Sequence, residues 1–188
     1  RCVGYETLTA MLRGKKGQEE KGLEAIYIAT RPGTHRDLAT QIAQYYAAAD
    51  QNRKNKQGDG DKSFLGCYIE KPVGRCAAET EAIVALYAQY GFTVYTAYIS
   101  RAYARTQALR TLLQDATVLG PNIIHIRYRL KGTGGARDLQ TNTAELPWRL
   151  DPKESGGGLI MDVGCHILDR IDYLCGPLID VQGHAEHR

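Results

Sequence analysis

The sequence predicts an α/β fold: a parallel sheet with crossover helices, then a second unit whose sheet is mainly antiparallel. Two observations predict it. Between residues 23 and 99, short apolar runs alternate with helical stretches, as strand–helix–strand–helix–strand. After residue 100 the style changes, and Asn122–Leu130 (NIIHIRYRL) alternates apolar and polar residues like a half-exposed antiparallel strand.

Taken in order, Tyr5–Arg13 reads as a short helix and Gly14–Gly22 as a polar loop. Leu23–Ala29 (LEAIYIA) is a strand-length apolar run, ended by the turn residues of Thr30-Arg31-Pro32-Gly33. Thr34 is placed as N-cap of a helix over His35–Ala49, with Leu38, Ile42 and Tyr45 or Tyr46 facing inward. Asp50–Ser63 (DQNRKNKQGDGDKS) has no aliphatic residue to repay ordering entropy and reads as a mobile, dispensable loop. Phe64–Ile69 is the next strand, Ala77–Tyr90 the next helix with Gly91 closing it, and Phe92–Ile99 the third strand. Ala102–Asp115 is a helix, Lys131–Leu146 a long loop, and Leu178–Gly183 a further strand. The boundary between the two units is placed near Ser100, giving 1–99 and 100–188.

Composition excludes several classes. A net charge of +3 demands neither nucleic acid nor an anionic surface. No apolar run approaches the roughly 20 residues of a membrane span. Five cysteines without a C-x-x-C pair fit reduced thiols and a cytoplasmic location better than a disulfide framework. The chain opens at Arg1 without an initiator Met, so a targeting segment is not judged from this end.

The chemistry concentrates in three places. Gly156-Gly157-Gly158 gives way to a helix bearing Asp162, His166 and Asp169. At i, i+4 and i+7 these share one face within about 60°. Ile160, Val163, Ile167, Ile171 and Leu174 cluster opposite, as a core-facing stripe would. A solvated polar face is the plain alternative; a proton relay, with His166 as base and a carboxylate orienting it, is the functional one. Glu70-Lys71-Pro72 ends the second strand, where an ammonium can stabilise a developing alkoxide; the alternative is a surface lysine at a turn. Thr30-Arg31-Pro32-Gly33-Thr34-His35 ends the first strand at the same edge, where open parallel sheets bind ligands; the alternative is an ordinary turn.

Other motifs are set aside. Asp162, His166 and His184 or His187 match no zinc spacing, so no metal is expected. Gly132-Thr133-Gly134-Gly135 follows an alternating strand and precedes no helix, the wrong context for a dinucleotide loop. Trp148 and Arg149 either line a pocket or anchor an aromatic in the interior.

Together, Ala29–His35, Glu70-Lys71-Pro72 and Gly156–Asp162-x-x-x-His166-x-x-Asp169 resemble the glucose–fructose oxidoreductase/inositol dehydrogenase (Gfo/Idh/MocA) family, in order and over Tyr5–Gly183. The resemblance implies a Rossmann domain binding NAD or NADP, followed by an α/β substrate domain. It implies Lys71 as catalytic lysine, with Asp162 and His166 on substrate hydroxyls and His166 as proton acceptor. It places Thr30, Arg31, Pro32, His35, Glu70, Lys71 and Arg101 near the cofactor. The chain departs from the pattern in three ways. The glycine fingerprint would precede Arg1, most of the substrate-side sheet would follow Arg188, and Asp50–Ser63 is an insertion.

The expectation is an internal piece of a nicotinamide-dependent dehydrogenase acting on a secondary alcohol of a sugar, polyol or dihydrodiol. By itself it should bind NAD(P) weakly, with an exposed apolar sheet face; the parent is compatible with a homo-oligomer. An NAD-assisted glycosidase and a non-catalytic NAD(P) or ligand sensor are the rivals, and retention of Lys71, Asp162 and His166 together favours an enzyme.

Overall fold

Three parallel strands, β1 (Ala25–Ile28), β2 (Gly66–Ile69) and β3 (Thr93–Thr96), lie in the order β1-β2-β3. Parallel neighbours need long crossovers. Here α2 (Pro32–Gln57) and α3 (Ala77–Tyr90) supply them, and because the two helices touch they share one face of the sheet. The structure, a computed structural model, describes residues 4–13, 23–57, 64–115, 117, 125–127, 148–149, 151–158 and 160–184. Its other described elements are α1 (Leu8–Arg13), a 3-10 turn at Ile99–Ala102, α4 (Ala104–Gln114), α5 (Pro152–Ser155), a π-helical turn at Ile160–Gly164 and α6 (Cys165–Cys175).

The core lies between the sheet and α2/α3. The register aligns Ile26 with Cys67 and Val94, and Ile28 with Ile69 and Thr96, on the covered face. Ile42, Phe64, Ile69 and Ile83 are each no more than 1% exposed. At about 1.5–3 kcal/mol per buried side chain, this layer outweighs any surface ion pair in holding the sheet to its helices. Phe64 stacks on Tyr46 at 4.0 Å and meets Phe92 edge-on at 5.1 Å. Buried Tyr87 donates its hydroxyl to the Ala39 carbonyl at 3.0 Å, which satisfies the polar end of an otherwise apolar anchor. The other sheet face carries the aligned row Tyr27, Tyr68 and Tyr95, all exposed, with Tyr27 and Tyr68 edge-to-face at 5.3 Å.

The α/β class and the parallel sheet stand as read from sequence, as do the bounds of α3 and its left-handed Gly91 cap at φ 67°. Several details differ. α2 begins at Pro32, so Thr34 lies inside it, its hydroxyl donating to the Arg31 carbonyl. Proline at the first helical position costs nothing, because that N–H has no partner anyway. At its other end α2 continues through 50–57, which the sequence reading gave to a loop. Gln, Lys and Arg are good helix formers with no Gly or Pro before Gly58, and extending a formed helix costs far less than starting one. The remainder of that insert, 58–63, lies outside the described residues. Tyr46, not Tyr45, faces inward.

The strands are shorter than the apolar runs: β3 stops at Thr96, and the chain turns into the 3-10 segment. The antiparallel second sheet is not seen among the described residues. His125, Ile126 and Arg127 are not in a strand, and the rest of Asn122–Leu130 lies outside them, as do Lys131–Leu146 and Gly132–Gly135. Leu178–Gly183 is described and forms no strand; Ile179 and Val181 are 80% and 76% exposed. Alternation marks a strand only where a neighbour supplies the ladder.

The last helix buries part of both faces, not the apolar stripe alone. Asp169 is buried at 8% exposure, whereas Ile160 is 70% exposed and Val163, Ile167, Ile171 and Leu174 are only half-buried. Cations at the sheet edge hold the acidic face inward and leave the apolar stripe partly open.

Gly66 sits at φ 153°, and a Cβ there would lie 1.9 Å from the Thr93 carbonyl oxygen in the neighbouring strand. Gly66→Ala should therefore separate β2 from β3 and cost more than about 3 kcal/mol, read as a lowered urea midpoint. A midpoint unchanged from wild type would show that this pairing tolerates a side chain.

Candidate active site

Every group in the site is delivered to the C-terminal edge of the sheet. Glu70 and Lys71 follow β2 directly, and the Lys71–Pro72 peptide is cis. Fully buried His35, in the first turn of α2, secures this segment. Its Nδ1 lies 3.1 Å and 3.2 Å from the Pro72 and Val73 carbonyls, and its Nε2 lies 3.0 Å from the Thr30 carbonyl. Next along the chain, Glu79 in the first turn of α3 accepts from the Arg75 N–H at 2.8 Å and pairs with its guanidinium. Arg75 also donates to the Lys153 carbonyl of α5. Gly156, at φ 82°, passes so close that a Cβ would be 2.4 Å from the Arg75 carbonyl. The glycine run thus docks the 151–164 segment against the loop after Lys71.

That docking brings Asp162 onto Lys71, 91 positions away in sequence. Lys71 Nζ donates to Asp162 Oδ1 and to its backbone carbonyl, both at 2.7 Å. The other carboxylate oxygen, Oδ2, faces Arg149 Nε at 3.3 Å. Burial works to raise the Asp162 pKa, but the Lys71 hydrogen bond and charge, aided by Arg149 and His166, hold it below the usual carboxylate range. His166 is pushed below its ordinary value, first by burial and then by the Lys71 charge, against the pull of Asp162, Asp169 and Glu70. It is therefore a neutral imidazole at pH 7. Its ring meets Tyr98 edge-on at 6.0 Å. Burial is also the chief reason the Tyr98 phenol is pushed up to about 12.

Arg101, in the 3-10 turn, ties α6 down. Its Nε donates to Asp169 Oδ1 at 2.8 Å, and its guanidinium also reaches Asp172 and lies 5.2 Å from the Tyr173 ring centre. A cavity of about 440 Å³ is lined among others by Pro72, Cys76, Tyr98, Met161 and Cys165, but by none of Lys71, Asp162 and His166.

Lys71, Asp162 and His166 come together, with Glu70 adjacent. Glu70 accepts from the Lys71 N–H at 3.1 Å and from the Tyr27 hydroxyl, an arrangement that pushes the Tyr27 phenol up to about 12. Thr30 and Arg31 are exposed at the same edge. Two residues that the family resemblance placed near the cofactor are not available for contact. His35 is fully enclosed by carbonyls, and Pro32 is buried at the start of α2. Arg101 is spent on Asp169 and Asp172. Tyr98 lies inside the apolar run 92–99, and an aromatic at a strand end is the one signal the sequence offers for it. Among the described residues no cluster of three or more His, Cys, Asp or Glu is placed to hold a metal.

Asp162 carries a pH prediction. Its folded pKa is depressed, so it binds fewer protons folded than unfolded. Its stabilising contribution is present above the unfolded value near 3.9 and fades as pH falls through the folded one. Melting temperature should drop on acidification in that range, and Asp162→Asn should shallow the drop. An identical acid limb in the variant would mean the pair does not stabilise the fold.

Comparison with known proteins agrees with this architecture. Residues 106–188 match the family model of the GFO/IDH/MocA C-terminal domain. The chain is 28% identical to Oxidoreductase P35 of Formosa agariphila over 160 residues, which cover 85% of this chain and 43% of that protein. Among solved structures, it superposes on the WlbA (WbpB) dehydrogenase of Thermus thermophilus, in complex with NAD and UDP-GlcNAcA, with a TM-score of 0.64 and 20% identity. That match covers 98% of this chain and 50% of WlbA. An inositol dehydrogenase homolog from Azotobacter vinelandii, complexed with NAD+, gives a TM-score of 0.60 at 19% identity, covering 82% and 35%. The chain therefore spans about half or less of the length of these proteins. With the motifs in order, the sheet shared and residues 106–188 matched by the family's C-terminal domain model, the chain is similar to proteins of the Gfo/Idh/MocA family.

Proposed function

We propose that this chain forms the Lys71–Asp162–His166 part of an NAD(P)-dependent oxidoreductase acting on a secondary alcohol of a sugar, polyol or dihydrodiol. We place the division between cofactor and substrate domains near Ser100. One observation carries the reading: an ammonium held at 2.7 Å by an ionised carboxylate, beside an imidazole kept neutral by its surroundings. A surface helix has no use for that combination; an alcohol being oxidised needs an oxygen ligand and a proton acceptor. The matched proteins complexed with NAD, one of them also with a nucleotide sugar, support the choice of cofactor and substrate class.

The strand edge fits such a cofactor. The first turn of α2 contains no carboxylate, its N-terminus is favourable to phosphate, and Arg31 lies exposed just before it. Thr30, Arg31 and Glu70 would hold the group, which supplies the hydride acceptor when bound. Lys71 Nζ, steered by Asp162, donates a hydrogen bond to the alcohol oxygen and stabilises negative charge there. An unprotonated ring nitrogen of His166 takes the hydroxyl proton as the carbon gives up its hydride. The products are a carbonyl compound, the reduced cofactor and an imidazolium. Tyr98 restricts the His166 ring by packing against its edge. The chemistry belongs to the cofactor, and the protein contributes positioning and charge.

In the full-length protein, His166→Asn should lower kcat by about 10²–10⁴, and Lys71→Met by a similar factor. Alcohol oxidation should rise with pH as the imidazole loses its proton. Because burial and Lys71 depress that pKa, the limb should lie below that of a free imidazole, and it should vanish in His166→Asn. The readout is reduced-nicotinamide absorbance with NAD+ or NADP+ across a sugar and polyol panel. A wild-type pH profile retained in the variant would assign proton transfer elsewhere.

A further inference from the structure

Cys165 follows the π-helical turn and directly precedes His166, and no step of the alcohol oxidation uses it. Its thiol is half-buried and lies 3.6 Å from the Asp162 carbonyl oxygen. A short polar side chain in a helix often donates to a carbonyl one turn back, which by itself says little. Here that carbonyl is already occupied, because Lys71 Nζ donates to the same oxygen at 2.7 Å. The thiol also lies against the Tyr98 hydroxyl, and the Tyr98 ring stands edge-on to the His166 ring at 6.0 Å. The sulfur therefore sits between the two arms of the site. It touches the oxygen that orients the ammonium and the phenol that borders the imidazole.

Its surroundings suit a neutral group that fills space rather than one that reacts. Burial pushes the Cys165 thiol above its ordinary value, against the opposing Lys71 charge, so it keeps its proton at pH 7 and can donate it. Cys165 and Tyr98 both line the cavity of about 440 Å³, whose walls also include Pro72, Val73, Met161 and Leu168. Removing the sulfur would enlarge that cavity and admit water beside the residue that precedes His166. The ionisable groups around this imidazole are Lys71 and Glu70 from the end of β2, Asp162 and Asp169 from the turn and helix that carry it, and Tyr98 after β3. Arg149 and Arg101 pair with the two aspartates. A neutral thiol adds no charge to that set, so its influence runs through water and position.

We propose that Cys165 is a positioning residue for the reactive groups: its thiol joins Tyr98 to the Asp162 carbonyl, so that Lys71 and His166 are held in one arrangement and water is kept from the imidazole. The proposal rests on the oxidoreductase reading for the roles of Lys71 and His166, and adds a residue that touches neither alcohol nor cofactor. Tyr98 takes part through its hydroxyl as well as through its ring. Sulfur fills more of the gap than oxygen would, while its S–H still donates.

The test is an NMR titration of the histidine-labelled full-length protein without substrate, with the His166 signal identified by its loss in His166→Asn. Cys165→Ala should make His166 hold its proton about three- to tenfold more tightly, because water reaches the ring and Lys71 loses its fixed place. Cys165→Ser should restore most of the wild-type behaviour. Tyr98→Phe keeps the ring and loses the hydroxyl, and should shift the titration the same way. The double variant Tyr98→Phe/Cys165→Ala should shift it no further than Cys165→Ala alone. In turnover, Cys165→Ala should lower kcat by about 10-fold and leave the KM for NAD+ unchanged. An imidazole that titrates as in wild type in Cys165→Ala overturns the proposal. So do equal effects of Cys165→Ala and Cys165→Ser, or additive effects of the Tyr98 and Cys165 substitutions. If the melting curve of Cys165→Ala shows no folded protein, Tyr98→Phe decides alone by the same shift. The titration needs no turnover, so the two readings separate. A shifted His166 without NAD(P)+-dependent oxidation in the wild type keeps the positioning role and removes the dehydrogenase, and oxidation with an unshifted His166 does the reverse.

Discussion

Everything at the sheet edge depends on one carboxylate being ionised and shared. Asp162 takes Lys71 on one oxygen and Arg149 on the other, while its backbone carbonyl accepts from Lys71 as well. Half-exposed ion pairs add little to net stability, because desolvation consumes much of what attraction returns. The value of this one is placement. It makes a residue at the end of β2 and a residue in a π-helical turn, far apart in sequence, parts of one candidate site. Arg101 does the same about two and three turns beyond Asp162 through Asp169 and Asp172, so the helix is pinned at both ends of its acidic face. Packing alone would not choose that orientation, since an apolar stripe of comparable length runs along the other side.

That stripe explains what was and was not legible in the sequence. The parallel sheet could be read because each strand is a short apolar run bounded by Pro or Gly, and α3 because Gly91 ends it in a left-handed cap. Periodicity on α6 marks two faces, and the structure partly buries both, with Asp169 the deepest. The rule that apolar faces turn inward assumes that the polar face has only water to pair with. Here Lys71 and Arg101 wait at the edge of the sheet, and Asp162 and Asp169 find cations there instead. No local pattern around residue 162 announces a lysine 91 positions earlier; only the motifs taken together did.

His35 shows the limit of reading roles from position. A histidine just past a strand end, at the edge where ligands bind, looks like a ligand contact. The structure encloses it and points both ring nitrogens at backbone carbonyls, two of them in the loop that follows Lys71. It joins the turn after β1 to the turn after β2 from inside, so that Glu70 and Lys71 project from a fixed backbone. Sequence supplies the residue and its neighbourhood. Burial, which decides between contact and support, emerges only when α2 starts at Pro32 and turns the ring toward the core.

The π-helical turn at Ile160–Gly164 brings these points together. A widened turn interrupts the regular advance of side chains around a helix axis, and such turns are common at functional sites. Asp162 lies within it, and His166 is the second residue of the regular helix that follows. The i, i+4 relation predicted from sequence therefore does not hold as an ideal α-helical spacing. Asp162 is displaced toward Lys71 and Arg149, while His166 keeps its place against Tyr98. A straight helix would set carboxylate and imidazole over one another as hydrogen-bonded neighbours. The observed turn separates the two: the carboxylate pairs with the cations, and the imidazole, free of a direct carboxylate hydrogen bond among the described residues, keeps a lowered proton affinity.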